Sequence, residues 1–339
     1  MKFGLAIMND FPPGMLNPAK LTELREQVSA ARKSGFESVW VLQHYLGNMP
    51  TLQPIPLIAS LAERADGMDV GTNMFILPLR HPVAVAEEFA TIDHLSAGNV
   101  IAGFGMGYRD NEFESFGVPM DERVARFEEG VEVIRELWSG RTVSFQGKHF
   151  QLDEQRISLE PVQPGGPKIW IGAGAHKTGA RRAARLGDAW IIPPHVTPDR
   201  LDVVLGHYRA ERDLLGKGSD GELVVRRELV LDENPDRARE IGVRARGALT
   251  QKYSAFNAPD ASGVYKHLDG ANSAEEVADQ SYLFTDPDTA VEKLKALEKQ
   301  GITYVILRMQ WYDLPQDELL KTMELFRDRV LPEFASSAA

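Results

Sequence analysis

Short apolar runs and helix-forming stretches alternate along this chain from end to end, and that rhythm limits its fold more than any other feature. Runs suited to buried strands lie at Lys2–Met8, Ser38–Leu42, Asp69–Phe75, Val100–Phe104, Lys168–Ile171, Asp188–Ile192, Leu223–Leu231 and Tyr304–Met309. Helical patterns follow them near Pro18–Lys33, Pro56–Ala65, Pro82–Leu95, Asp121–Trp138, Lys177–Arg185, Pro198–Leu215, Pro235–Tyr253 and Pro287–Lys299, with a last one near Gln316–Arg329. Proline opens many of them, where its fixed φ suits the first turn and its missing N–H leaves nothing unpaired. Eight strands, each followed by a helix, predict an α/β chain closed into a parallel (β/α)8 TIM barrel. An open doubly wound sheet is the alternative. The barrel is preferred because the strands recur with no linker, repeat or low-complexity segment between them.

The expected unit is a single barrel domain over residues 1–333, with 334–339 a flexible tail of small residues. Two insertions interrupt the rhythm. Residues 139–166 hold a hairpin, TVSFQGKHFQL, with Gln146-Gly147 near its turn. Residues 254–281 are polar and irregular, longer than an ordinary connection, and suit either a lid at the barrel rim or a surface excursion.

Composition narrows the function. The net charge is −11 with both signs interleaved, so no basic patch invites nucleic acid. Cysteine is absent, which excludes disulfides and thiolate metal sites and makes a reducing cytoplasm the expected location. No apolar stretch approaches the ~18 residues a membrane span needs. The histidines are scattered and HExxH is missing, so no metal site is expected; a G-x-S-x-G elbow and a Walker sequence are missing too.

In a barrel, chemistry gathers where strands end. The first strand exit offers Met8 and Asn9. The second offers Gln43-His44-Tyr45, and the His44 imidazole can shuttle a proton near neutral pH, although a plain rim histidine is an equal reading. The third offers Asn73-Met74. The fourth offers Gly103, Gly105, Met106, Gly107 and Tyr108, where alternating glycines leave room for a flat ligand or merely make a turn; a dinucleotide fingerprint is incomplete there. The fifth is the most informative: Gly172, Ala173, Gly174, Ala175, His176 and Lys177 stand between an apolar run and an amphipathic pattern. A helix start of that kind presents unpaired N–H groups and partial positive charge to a phosphate, with Lys177 and Thr178 beside it. An ordinary strand-to-helix turn of small residues is the plainer reading. The eighth offers Arg308, Gln310 and Trp311. Met74, Met106 and Trp311 either flank an aromatic ring or fill core.

Taken together, FESVWVLQHYL, DVGTNMFILPLRHPVAVAEEFATIDHLSAGNVIAGFGMGYRDNEFESFGV, PKIWIGAGAHKTGARRAARLGDAWI and GITYVILRMQW with LFRDRVLPEF make the chain resemble the bacterial luciferase-like flavin monooxygenase family over nearly its whole length. The resemblance implies a luciferase-like barrel carrying reduced FMN, or the deazaflavin F420, at its C-terminal rim. It places the active-site histidine on His44, a non-proline cis peptide on Asn73-Met74, a fourth-strand contact on Met106, and the phosphate end on the Gly172 to Lys177 turn. Three departures bear on the cofactor. Gln43 stands where many F420-dependent relatives carry Asp. Tyr108 stands where the sugar-phosphate branch carries Glu. Met106 stands where luciferase grips phosphate with Arg, which leaves His176, Lys177 and Arg80 as candidates for that task.

These differences favour FMN and leave F420 open. The leading expectation is a monooxygenase using reduced FMN and O2, by peroxyflavin chemistry, on a small hydrophobic organic substrate, with flavin supplied by a separate reductase. In it His44 stabilises or protonates the peroxyflavin or a substrate oxygen. The alternatives are an F420-dependent oxidoreductase moving a hydride, and a flavin-binding protein without turnover. The expected substrate pocket is lined by Met8, Asn9, Tyr45, Tyr108 and Trp311, and the resemblance implies a homodimer.

Overall fold

The structure is a computed structural model that describes residues 1–47, 49–218, 221–255, 280–311 and 314–334, with 246–255 as main chain only. In chain order its elements are β1 (Lys2–Ala6), α1 (Pro18–Lys33), β2 (Ser38–Val41), α2 (Pro54–Ala65), β3 (Asp69–Thr72), β4 (Phe75–Ile76), α3 (Pro82–Leu95) and β5 (Val100–Gly105). Then come α4 (Asp110–Ser115), α5 (Arg123–Trp138), β6 (Val143–Gln146), β7 (Gln151–Gln155), β8 (Lys168–Gly172), α6 (Lys177–Leu186), β9 (Ala189–Ile192) and α7 (Pro198–Leu214). The remainder is β10 (Glu222–Leu231), α8 (Pro235–Ala255), β11 (Leu283–Thr285), α9 (Pro287–Lys299), β12 (Tyr304–Arg308) and α10 (Gln316–Leu325).

Eight strands pair in parallel and close on themselves in the order β12-β1-β2-β3-β5-β8-β9-β10 and back to β12. The barrel reading therefore holds and the open sheet does not. β4 adds a short pairing on β5, and β11 pairs with the end of β10 outside the ring. The expected hairpin is the antiparallel pair β6-β7. Helix starts follow their chemistry: Asn17 accepts from the Lys20 amide at 3.1 Å, and Asp286 from the Thr289 amide at 2.9 Å. The sequence pattern did not foresee α4, whose six residues are too few to show a helical period. Most of the lid segment, 256–279, and the tail residues 335–339 lie outside the described residues.

Period-two alternation sorts each barrel strand into two faces. On β10, Leu223, Val225, Leu229 and Leu231 pack outward against the helices, while Val224 points in. Inside, Trp40 stacks on Trp170 at 4.9 Å, and Tyr304 meets Trp170 edge-on at 5.2 Å. Trp40 occupies space that glycines leave: a Cβ on Gly71 would run into its ring, and one on Gly4 would meet its Nε1. The aromatic layer plugs the barrel, with Ile101, Ile191, Val224 and Ile306 around it. Below it, at the N-terminal end, Tyr304 meets Ser38 at 2.6 Å and Lys2 meets Glu222 at 3.0 Å beside a surface cavity of about 410 Å³ lined by Met1, Lys2, Glu222 and Thr303.

Candidate active site

His44 stands just past the end of β2, and the chain around it is pinned from several sides. Gln53 donates to the His44 carbonyl at 3.0 Å. Gln43 accepts from the Ile76 amide at 2.7 Å and donates to the Tyr45 hydroxyl at 2.9 Å. On the far side, α4 delivers Glu112. Its Oε1 accepts from the Tyr45 amide at 2.7 Å and from Arg109 at 3.0 Å, and lies 3.5 Å from His44 Nδ1. Arg109 also donates to the Tyr45 carbonyl at 2.8 Å. Glu112 is 1% exposed and Arg109 3%, against 13% for His44. A buried ion pair depends on good geometry and further hydrogen bonds; here the main chain of Tyr45 supplies one to each member. Tyr108 sets its ring edge-on to the imidazole at 6.0 Å.

Neither Arg109 nor Glu112 was singled out from sequence, although both lie in the segment GYRDNEFESFGV. Two other expectations are corrected. Asn9 is fully buried, and its amide is spent on the Leu42 and Leu52 carbonyls (2.9 and 2.6 Å) and the Leu42 amide (3.2 Å). It clamps the end of β1 to the His44 loop; Met8 packs with Phe11 and Leu24. Trp311 is likewise fully buried among Val230, Ile241 and Leu314, with the Arg308 guanidinium 5.9 Å from its ring. Tyr45 is half-buried, its ring 4.6 Å from Phe116 and its hydroxyl engaged by Gln43.

The next wall of the mouth is built around the Asn73–Met74 peptide, which is cis. Thr72 holds this bend to β5, donating to the Gly103 carbonyl at 2.8 Å and accepting from its amide at 3.0 Å. A Cβ on Gly103 would run into the Thr72 carbonyl. One on Gly105 would sit 2.8 Å from Met74 Cβ, and one on Gly172 2.5 Å from Met74 Cγ. The spaced glycines were expected to admit a flat ligand directly; instead they admit the Met74 side chain and the backbone bend. Asn73, Met74, Met106 and Tyr108 stay half-buried at the mouth and form the surface a ligand would meet.

At the exit of β8, His176 caps α6. Its Nδ1 lies 3.1 Å from the Gly179 amide and 2.8 Å from the Thr178 hydroxyl. That ring and the missing side chain of Gly174 fit together, since a Cβ there would lie 3.0 Å from the imidazole. Ala173 is buried, its carbonyl accepting from Trp190 at 3.1 Å, and the Ala175 carbonyl accepts from Arg200 at 3.1 Å. Arg80 pairs with Glu88 and lies over the Phe75 ring at 5.7 Å. Of the three side chains considered for phosphate, Lys177 is therefore the exposed one without such a commitment. The first-turn amides of Lys177 and Thr178 face outward from the helix start, which carries the partial positive charge an anion needs. The site fits a cofactor with a flat ring and a phosphate-bearing tail.

The opposite wall differs in kind. The inward positions of β10 continue from Val224 to Arg226 and Glu228, and Glu228 lies in register with Arg308 of β12. Arg226 donates to Glu228 at 3.0 Å. Alternation along Leu223–Leu231 carries this signal in the sequence, but no residue of the pair was selected from it.

Comparison with known proteins agrees with this layout. The family model described as luciferase-like monooxygenase matches residues 1–304. An F420-dependent glucose-6-phosphate dehydrogenase of Amycolatopsis mediterranei is 29% identical, covering 92% of this chain and 94% of that protein. A 5,10-methylenetetrahydromethanopterin reductase of Archaeoglobus fulgidus is 28% identical, covering 90% and 92%. Among solved structures, the monooxygenase RslO1 from Streptomyces bottropensis superposes with a TM-score of 0.85 at 25% identity, covering 99% of this chain and 100% of that one.

Proposed function

Because this chain belongs to the luciferase-like monooxygenase family, we propose that it is an oxidoreductase working with the deazaflavin F420 on a small organic substrate. The observation that carries an enzymatic reading is the placement of His44 at the exit of β2, partly exposed, with the buried Glu112 3.5 Å from its Nδ1. Several curated relatives named as F420-dependent enzymes support F420 over FMN. This reverses the preference drawn from Gln43, Tyr108 and Met106 alone.

The bound cofactor would exchange a hydride with the substrate; the chain's own residues do the rest. The bend at Asn73–Met74, with Met106, would back the ring. Lys177 and the first-turn amides of α6 would hold the phosphate. Glu112, 3.5 Å from Nδ1 and bonded to Arg109 and the Tyr45 amide, would hold the His44 loop in place while the imidazole exchanges a proton with a substrate oxygen. The plug of Trp40 and Trp170 keeps water from reaching the mouth through the barrel.

A second reading has one specific support. The solved monooxygenase covers the whole chain, and Gln43 replaces the Asp of many F420-dependent relatives. In that reading the cofactor is reduced FMN, the co-substrate is O2, and a separate reductase supplies the flavin. Self-association into a homodimer and a cytoplasmic location belong to the proposal under either reading. Among the described residues, no helix is long and apolar enough to cross a membrane.

Cofactor fluorescence decides between the readings. Saturable quenching on addition of F420 is the expected result. Tight binding of reduced FMN with no response to F420 would leave the second reading in its place. His44→Ala should lower turnover ~10²–10⁴-fold while cofactor affinity holds; unchanged turnover would make the protein a flavin binder without catalysis.

A further inference from the structure

Alternation along β10 puts Arg227 on the face that carries Leu223, Val225, Leu229 and Leu231, all of them buried and apolar. Another apolar residue would complete that face. The arginine there is 2% exposed, and among the described residues no carboxylate pairs with it. Burial pulls its pKa down to about 10, so it stays charged at neutral pH. Its guanidinium is spent on main-chain carbonyls. Nη1 donates to Pro194 at 3.3 Å and to Arg226 at 3.0 Å, and Nη2 donates to Val196 at 3.1 Å. Burying a charge costs far more than burying a leucine, so what this charge holds matters. It holds residues 193–197, the connection from β9 to α7. Within that connection the Val196 amide reaches the Pro193 carbonyl only at 3.4 Å, and Thr197 gives α7 no side-chain cap. The connection stands at the mouth, beside the turn assigned to phosphate. Arg200, in the first turn of α7, donates to the Ala175 carbonyl of that turn at 3.1 Å, and Trp190 of β9 donates to the Ala173 carbonyl at 3.1 Å. Arg212 of α7 makes bonds of the same kind at the other end of the barrel, to the Gly218 and Lys217 carbonyls at 2.8 and 2.9 Å. The two arginines differ in what they hold: one a turn at the mouth, the other a turn remote from it.

We propose that Arg227 is a positioning residue for the cofactor's anionic tail. It fixes the 193–197 connection and, through Arg200, the Gly172 to Lys177 turn, without touching the cofactor itself. The inference rests on the oxidoreductase reading and adds to Lys177 and the start of α6 a residue that acts from behind them. A turn already held in its binding shape avoids the entropy loss of ordering a loop around the ligand. Methionine in place of Arg227 fills much of the same space and removes the donors. The Pro194 and Val196 carbonyls then lose their partner, and the connection is free to take other shapes.

The test compares Arg227→Met, Arg227→Lys and Arg212→Met in the full chain. Affinity is read from fluorescence quenching with F420, or with FMN where only that binds. Arg227→Met should weaken it about 5–10-fold, the worth of about one net hydrogen bond. Arg227→Lys keeps the charge but not the forked geometry, and should weaken it only about threefold. Arg212→Met, the matched change at the far end, should stay within about twofold of the parent. Hydrogen exchange gives a second readout that needs no cofactor. In Arg227→Met the Gly179, Ala180, Val196 and Leu201 amides, bonded in the two turns, should exchange about tenfold faster, while the strand amides of β1 and β12 keep their rates. Several results would overturn the inference: unchanged affinity in Arg227→Met, an equal loss in Arg212→Met, unchanged exchange at those amides, or faster exchange in every strand. Should Arg227→Met fail to fold, Arg227→Lys carries the test, and parental affinity and exchange in it would overturn the inference. A parent that binds neither cofactor would count against the oxidoreductase reading instead, with exchange still deciding whether Arg227 positions the turn.

Discussion

The two walls of the barrel mouth solve different problems with the same alternating strands. One wall, from β3 through β5 to β8, is made of what is missing. Gly103, Gly105 and Gly172 give up their side chains so that a backbone bend and Met74 fit against the sheet. The other, on β10 and β12, is made of charge held where water is scarce, with Arg226, Glu228 and Arg308 on the inward positions. The first wall fixes a shape and tolerates little change. The second fixes an ion pair, Arg226 with Glu228, on neighbouring inward positions of one strand. Function in such a site comes from facing a rigid surface with a charged one.

That contrast breaks most readily at Gly103. Gly103→Ala sets a Cβ against the Thr72 carbonyl, backbone against backbone, and should destabilise the fold by more than ~4 kcal/mol in urea unfolding. A variant that unfolds like the parent would mean the small wall yields after all. Next comes Glu112→Ala, which strands the buried Arg109 guanidinium. A loss of about 3–5 kcal/mol is expected, with turnover falling as the support behind His44 goes. A mild effect on both would separate α4 from the site. Lys177→Ala sharpens the comparison along the first wall: cofactor affinity should weaken ~3–10-fold, and more at low salt than at high. An affinity unchanged at every salt concentration would remove Lys177 from the phosphate end.

The smallest effect belongs to the closed end of the barrel, remote from both walls. Burial pushes the Asp69 carboxyl above the usual carboxylate range, against the opposing pull of Lys168 and Lys2. The ionised form is therefore a cost to the folded state at neutral pH. That cost disappears as pH falls through the raised folded value toward the unfolded one. Asp69→Asn should make the protein slightly more stable at pH 7, by at most about 1 kcal/mol. The gain should fade as the pH falls toward ~4 and be gone below it. Melting temperatures of both proteins across pH would check the sign, and turnover should not change.

The strands and helices were legible because each carries its own period: a run of apolar residues for a strand buried on both faces, a proline or a capping Asn or Asp at a helix start. That His44 and the Lys177 turn share one end of the barrel was legible because the exits of parallel strands lie at the same end. Burial was not. Asn9 and Trp311 occupy strand exits as Tyr108 does, yet one is consumed by main-chain bonds and the other sinks into a cluster beside β10. α4 escaped notice for a related reason. Its Glu112 matters through contacts with Arg109, Tyr45 and His44, and two of those lie across the chain from it.

What the sequence determined alone is a closed eightfold ring and which end of it is open to chemistry, since both follow from local period and strand direction. What tertiary structure decided is which side chains at that end are consumed by contacts with distant parts of the chain. A hydrogen bond is won or lost by tenths of an ångström between residues far apart in sequence. Glu112 and Glu228 are both buried glutamates at the same rim. Their surroundings alone set one beside the histidine, accepting from Arg109 and the Tyr45 amide, and the other on β10, accepting from Arg226.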